Sequence, residues 1–182
     1  MKKLIFVLLA IVVCCSGQMC GSTATNTGPQ NICGRNFFEP NYRIGIDLPA
    51  GIGLPKAGSI DSNIALKQTW DWATNPVSKV VLVVSAPVGD VTLDQAAQES
   101  QATFEQNNFT VMVNMQVTLD DGSNAWYFAL SPNDQDNINV EAVMTLSQGR
   151  LVMLSATYAS SLPKATTDAI NAMLQSLCVD VQ

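Results

Sequence analysis

Cysteine is the residue type with the most varied chemistry in this chain of 182 residues, which contains no histidine. Cys14, Cys15 and Cys20 lie within seven positions at the end of an apolar run. Such cysteines serve as metal ligands, as disulfide partners or as sites of lipid attachment. The paired spacing of a zinc site is missing, and no histidine can complete a tetrahedral ligand set. We therefore predict no metal site and no other cofactor.

The absence of histidine also narrows the catalytic chemistry. Histidine is the commonest general base and the usual partner of serine and cysteine nucleophiles, so Ser-His and Cys-His mechanisms are excluded. We predict no catalytic residue and a protein that is not an enzyme. The alternative is an envelope hydrolase that uses carboxylates or a Ser-Lys pair, although the candidate lysines occur in no recognisable motif: Lys56, Lys67, Lys79 and Lys164.

Residues 1–15 have the pattern of a secretory signal peptide. Lys2 and Lys3 form a short positive start, and the apolar run from Leu4 to Val13 follows them directly. This run is far shorter than the roughly 20 residues that a membrane-spanning helix needs. A positive start, a short apolar stretch and then small residues indicate export.

The cysteines after this run indicate how the signal is processed. The segment resembles a bacterial lipoprotein signal, in which a cysteine receives a diacylglycerol and palmitate-type acylation. Cys15 is the best candidate for the lipid, and Cys14 and Cys20 are the alternatives because their preceding residues match the pattern less well. Cleavage after Gly17 by a signal peptidase for soluble proteins stays open, and it would give a secreted soluble protein.

Residues 16–41 are predicted to be a flexible tether, and residues 42–182 a single folded domain. The tether is rich in Gly, Ser, Thr, Asn and Pro and lacks apolar periodicity. This composition cannot offset the entropy cost of ordering. Cys33 and Cys178 lie outside the N-terminal cluster and are candidates for a disulfide in an oxidising compartment.

The domain shows alternating strands and two amphipathic helices. Thr92 and Gln95 form a capping box at the start of the first helix, and Pro163 lies at the start of the second helix. Residues 53–68 carry weak signals and are predicted to be loop or short irregular helix. Strands are predicted at 42–48, 69–72, 79–85, 109–118, 125–130, 139–146 and 151–158, with Phe109, Val111, Val113, Met115 and Val117 all facing inward.

The order of these elements predicts an α+β fold in which two helices flank a mainly antiparallel sheet. Three short motifs occur within this order: Ile46-Asp47-Leu48-Pro49-Ala50-Gly51, Asp120-Asp121-Gly122 and Ser176-Leu177-Cys178-Val179-Asp180. Together with the element order, they resemble the PsbP/DcrB-like superfamily, which includes small bacterial lipoproteins. The resemblance implies an α/β/α sandwich and a binding or assembly role without shared catalytic residues. Ile52 departs from the tryptophan that members often carry there.

Several polar and aromatic groups are further candidate sites. Trp70 and Trp72 are predicted on one face of a short strand, where they are either core residues or a partner-binding pair. Asp134 and Asp136 could supply oxygen ligands to calcium, but the other residues that a calcium-binding loop requires are missing. A solvated hairpin loop is therefore favoured. Adjacent strand residues point to opposite faces, so the neighbouring carboxylates Asp120 and Asp121 are assigned to a turn.

The net charge of −6 bears on possible partners. A nucleic-acid-binding surface needs a basic stripe, and none is present. An anionic membrane surface would also repel the chain, so we predict membrane attachment through the N-terminal lipid alone. The predicted location is the cell envelope, on the outer membrane or the periplasmic face in a Gram-negative cell. The predicted function is a binding or assembly module for an envelope protein or a small ligand.

Overall fold

The computed structural model describes residue 31 and residues 33–72, 78–135 and 137–179. The predicted signal peptide, with Cys14 and Cys15, and most of the predicted tether, with Cys20, lie outside these residues.

The described part of the chain forms ten strands and two helices. In chain order they are β1 (Phe37–Glu39), β2 (Ile44–Ile46), β3 (Lys56–Ala57), β4 (Ile64–Asp71), β5 (Lys79–Ser85), α1 (Leu93–Gln106), β6 (Phe109–Thr118), β7 (Asn124–Pro132), β8 (Ile138–Ser147), β9 (Arg150–Ala159), α2 (Lys164–Gln175) and β10 (Cys178–Val179).

Seven strands form the main sheet, in the order β3-β4-β5-β9-β8-β7-β6, and every pair in it is antiparallel. The strands from β6 to β9 follow one another as hairpins, as the turn signals predict. A second sheet of three short antiparallel strands has the order β1-β2-β10. The predicted α+β class with a mainly antiparallel sheet is confirmed.

Helix α1 begins where the sequence predicts it. The Thr92 side chain accepts a hydrogen bond from the backbone N–H of Gln95, and the Gln95 side chain accepts one from the backbone N–H of Thr92. This reciprocal pair satisfies two N–H groups that would otherwise lack partners at the helix start. The helix buries one stripe of small and aromatic side chains: Ala96, Ala97, Ser100, Thr103 and Phe104.

The two helices lie on opposite faces of the main sheet, which is the arrangement of an α/β/α sandwich. Strand β5 is buried on both faces because successive side chains alternate between them. Val80, Leu82 and Val84 join the core cluster that includes α2, and Val81 and Val83 lie on the α1 side. The small sheet packs on the α2 side, where its buried side chains belong to the same cluster: Ile44, Ile46 and Val179.

The structured part of the chain starts before the predicted boundary at residue 42. Strand β1 pairs with β2, and Phe37 packs edge-on against Trp70 with the ring centroids 5.1 Å apart. Cys33 and Cys178 are joined by a disulfide. The end of the predicted tether is thus part of the fold.

Strand β4 corrects the prediction of loop or irregular helix over residues 53–68. Its alternation is interrupted by a register shift between Ile64 and Leu66, and Lys67 is buried within it. Side chains on the two sides of the shift therefore do not follow one period of two, which hides the strand in the sequence.

Strand β6 corrects a second prediction, that its five alternating apolar side chains share one inward face. Val111 pairs with Leu130 and Val113 pairs with Ala129, so Met112 is an extra residue in a β-bulge. An extra residue moves the following side chains to the other face. Phe109 packs in the core on the α1 side, whereas the apolar residues after the bulge lie on the α2 side: Val113, Met115 and Val117.

We predict that loss of the disulfide strongly destabilises the fold. The bond links residues 145 positions apart. By restricting the unfolded chain over so long a loop, it stabilises the folded state by up to about 5 kcal/mol. Replacing Cys33 and Cys178 by serine should lower the free energy of unfolding by up to that amount, as measured by urea denaturation. Reductant should shift the wild-type midpoint to that of the double variant, and an unchanged midpoint would contradict the prediction.

Candidate functional site

The largest exposed apolar side chains of the main sheet lie together on β6. Met112 is 67% exposed, Met115 50% and Val113 38%, although methionine and valine are usually buried. We call these three residues the β6 edge surface. Val113 and Met115 share one face of the strand, and Met112 is the bulge residue directly before them, so the three are neighbours at the sheet edge. Grouped exposed apolar side chains of this kind mark interaction sites.

Strand β6 is also the last strand of the main sheet, with β7 as its neighbour on one side. It is ten residues long and contains no charged residue and no proline. Exposed edges of soluble proteins are usually shortened or carry charges, because their free N–H and C=O groups pair readily with other chains. The β3 edge at the other end of the sheet is two residues long and contains Lys56.

The α2 side of the sheet is covered unevenly, which explains the exposure. The core cluster under α2 and the small sheet contains residues of β5, β8 and β9, among them Leu82, Val143 and Leu154. Val117 also packs against this cluster. Nearer the bulge, Val113 and Met115 lie beyond the covered area and remain open.

Beside Val113 and Met115, on the α2 side of the sheet, Tyr127, Tyr158 and Glu141 form a polar network. Met115 pairs with Tyr127, and Ala129 links Val113 to Glu141 across the strands. The Tyr158 hydroxyl donates a hydrogen bond to Oε1 of Glu141. The network therefore supports the sheet directly next to the exposed side chains.

The environment of these tyrosines keeps them protonated. Burial raises the pKa of Tyr127, and the negative charge of Glu141 raises it further. Burial likewise raises the pKa of Tyr158, with added contributions from its hydrogen bond to Glu141 and from the Glu141 charge. Two neutral phenols beside a carboxylate place hydrogen-bond donors and an acceptor next to the apolar side chains of this face.

On the other face, α1 places polar side chains along β6. Gln116 donates a hydrogen bond to Asp94 at 2.8 Å, and the Trp126 indole donates to the same carboxylate oxygen at 3.2 Å. Asn114 donates to Gln101, which in turn donates to Glu105 at 2.9 Å. The exposed carboxylates of Asp94 and Glu105 therefore stand near the two ends of the strand, and both accept from neutral donors.

The two tryptophans that were candidates for a partner surface are buried. Trp70 is fully buried and Trp72 is 8% exposed, and both belong to the core cluster on the α2 side. The small sheet covers them, with Phe37 against Trp70. Their prediction as a partner surface is thus corrected, and the core interpretation holds.

The neighbouring carboxylates Asp120 and Asp121 have structural partners. Asp120 accepts from Arg35 at 3.3 Å, and Arg35 also pairs with Asp47 at 2.8 Å. Asp121 caps its own turn through Ser123 and accepts from the backbone N–H of Val179. The turn interpretation agrees with these contacts, which also connect the β6–β7 hairpin to both ends of the described chain.

Of the remaining candidate groups, the described ones include two lysines in ion pairs and one carboxylate in a loop. Lys56 and Lys164 form ion pairs with Asp71 and Asp168. Asp134 is exposed in its loop, and Asp136 lies outside the described residues. Across the described ranges, no three His, Cys, Asp or Glu side chains are grouped so that they could hold a metal ion. In the same ranges, no helix is long and apolar enough to cross a membrane.

Sequence reasoning missed the β6 edge surface because it placed Val113 and Met115 in the core. One signal was available: Asn114 and Gln116 alternate with them, so one face of the strand is polar and the other is apolar. Nothing in that alternation shows which face is covered. The Tyr158–Glu141 contact had no sequence signal, since it joins residues on neighbouring strands.

Comparisons with known proteins bear on the fold. No protein-family model and no curated protein matches the sequence. Among solved structures, cyanobacterial PsbP (CyanoP) from Synechocystis sp. PCC 6803 is 12% identical with a TM-score of 0.60, over 79% of this chain and 91% of CyanoP. LpqN, involved in cell envelope biogenesis of Mycobacterium tuberculosis, is 17% identical with a TM-score of 0.53, over 75% of this chain and 82% of LpqN. The resemblance predicted from the sequence is confirmed for the fold, which is PsbP-like.

We predict that stability falls at alkaline pH through the two network tyrosines. Their pKa values lie above the ordinary 10.0 in the folded protein, so the unfolded chain releases these protons first. The neutral phenols make their full contribution to the free energy of unfolding below pH 10, and this contribution is lost as the pH rises above 10. Urea midpoints across this range should fall less steeply in a Tyr127→Phe/Tyr158→Phe variant than in wild type. Equal slopes would contradict the prediction.

Proposed function

We propose that this PsbP-like chain is an exported, lipid-anchored protein of the cell envelope that acts as a binding or assembly module and not as an enzyme. The lipid is attached at Cys15, and the folded domain binds a partner protein through the β6 edge surface. The observation that carries the binding role is the exposed, uncharged ten-residue edge strand in a domain whose other apolar strands are buried.

Two observations support the location. The first is the signal pattern of residues 1–15, with its cysteines directly after the apolar run. The second is the disulfide between Cys33 and Cys178, because disulfides form and persist mainly in oxidising compartments outside the cytosol. The similarity to LpqN, a protein of envelope biogenesis, is consistent with this location.

The non-enzymatic role is supported by the chemistry of the site. The groups beside the β6 edge surface are two phenols and one carboxylate, with methionine and valine side chains in front of them. Apolar side chains backed by hydrogen-bonded polar groups suit protein recognition, where aromatic residues and methionine are enriched.

We predict that Cys15 carries the lipid. Cells fed a clickable fatty acid should label the wild-type protein, and Cys15→Ser should abolish the label because the acylated thiol is gone. Cys20→Ser is the matched control and should keep it. A label that survives Cys15→Ser would move the anchor to another cysteine, and an unlabelled wild type would refute anchoring.

We predict that a partner protein contacts Met115 in the envelope. A photo-crosslinking amino acid at position 115 should capture a discrete adduct in intact cells, because this side chain is exposed on the proposed surface. Leu54 is the matched control position, since it is 87% exposed near the other edge of the main sheet. The binding role fails if position 115 gives no adduct, or if position 54 gives the same one.

A further inference from the structure

Charge is distributed very unevenly along this chain. Residues 80–149, which contain α1 and strands β6 to β8, have no lysine and no arginine. The same 70 residues contain nine of the fifteen acidic residues of the chain: Asp90, Asp94, Glu99, Glu105, Asp120, Asp121, Asp134, Asp136 and Glu141. The long edge strand of the main sheet therefore lies in the segment of the chain that has acidic residues and no basic ones.

The charges are not on the edge strand itself but beside it. Strand β6 is uncharged, and α1 packs along its α1-side face with the exposed carboxylates of Asp94 and Glu105. On the opposite face, Val113 and Met115 are open. A strand added to β6 would lie about 4.8 Å beyond it, within reach of side chains on both faces.

Resting on the proposed function, we propose that the β6 edge surface binds an extended cationic segment of a partner protein by strand addition. Successive side chains of an added strand alternate between the two faces. Its apolar side chains lie against Val113 and Met115, and its Lys or Arg side chains lie towards Asp94 and Glu105. Charge complementarity selects this occupant, because the edge strand is neutral and the charged side chains of the neighbouring helix α1 are all acidic.

A second copy of the chain is the competing occupant, and its charge disfavours it. Pairing β6 with β6 would bring two α1 helices close together, each with acidic residues and no basic residue. The bulge at Met112 also interrupts the regular edge that two identical strands would share. The same features leave residues 113–118 open to a short added strand.

The test uses the full-length protein in detergent and a blocked ten-residue peptide of alternating valine and lysine. Amide hydrogen exchange is measured by mass spectrometry or NMR with and without saturating peptide. Exchange in β6 should slow about tenfold or more, because added main-chain hydrogen bonds protect its outward N–H groups. The same peptide with glutamate for lysine should bind at least about tenfold more weakly.

Matched variants separate the local carboxylates from diffuse attraction. Asp94→Asn/Glu105→Gln removes two charges beside β6 and retains oxygen acceptors, and it should weaken peptide binding about tenfold. Asp61→Asn/Asp168→Asn removes two charges elsewhere and should weaken it less than about threefold. Val113→Thr/Met115→Gln, which keeps residues suited to a strand, should weaken binding at low and high salt alike, since its effect is apolar.

Three results would overturn the proposal. Unchanged exchange in β6 at saturating peptide would show that the strand is not the site. Equal weakening by the two charge variants would show a non-specific attraction. Protection of β6 that rises with protein concentration, without peptide, would identify a second copy as the occupant. A crosslink at Met115 despite any of these results would leave the binding role intact and refute only the cationic strand.

Discussion

The disulfide between Cys33 and Cys178 holds both ends of the described chain on the same short strand, and one whole layer of the protein depends on this closure. Cys178 pairs with Gly45 in β2, and a Cβ at Gly45 would lie only 2.7 Å from the Cβ of Cys33. The disulfide can therefore pass close to β2 because residue 45 has no side chain. Strands of two or three residues are marginal alone. The disulfide and the ion pairs of Arg35 with Asp47 and Asp120 add stability that the few backbone hydrogen bonds of these short strands do not provide.

Once closed, the small sheet and α2 cover the middle of the main sheet and Val117 of its last strand, but not the part of that strand nearer the bulge. The tryptophans Trp70 and Trp72 lie under this cover. In a regular strand, Val113, Met115 and Val117 would share the α1 side with Phe109 and Val111. The bulge at Met112 turns Val113 and Met115 to the side where cover is missing. The site therefore arises from two features together, a short covering layer and one extra residue.

The parts of the fold that follow from local chemistry could be predicted from the sequence. The capping box of Thr92 and Gln95, the doubly buried β5 and the hairpins from β6 to β9 each have a signal within a few residues. Features set by pairing between distant strands had no such signal. The sequence predicts neither the strand at residues 64–68 nor the inward and outward faces of β6, because both strands contain a register shift. A bulge depends on how two strands pair, and the sequence of one strand does not show it. The same holds for the contact between Tyr158 and Glu141.

The two edges of the main sheet differ in a way that bears on association. The β3 edge is two residues long, and its Lys56 is paired with Asp71. The β6 edge is long, uncharged and partly apolar, which in an isolated domain is a hazard for self-association. Here the usual protection, charge on the strand, is replaced by charge on the neighbouring helix α1 and by the bulge. Carboxylates in that position repel an identical acidic chain and attract a cationic one, so the arrangement limits self-pairing without closing the edge. A lysine on the strand itself, which is the usual edge protection, would also repel the cationic segment.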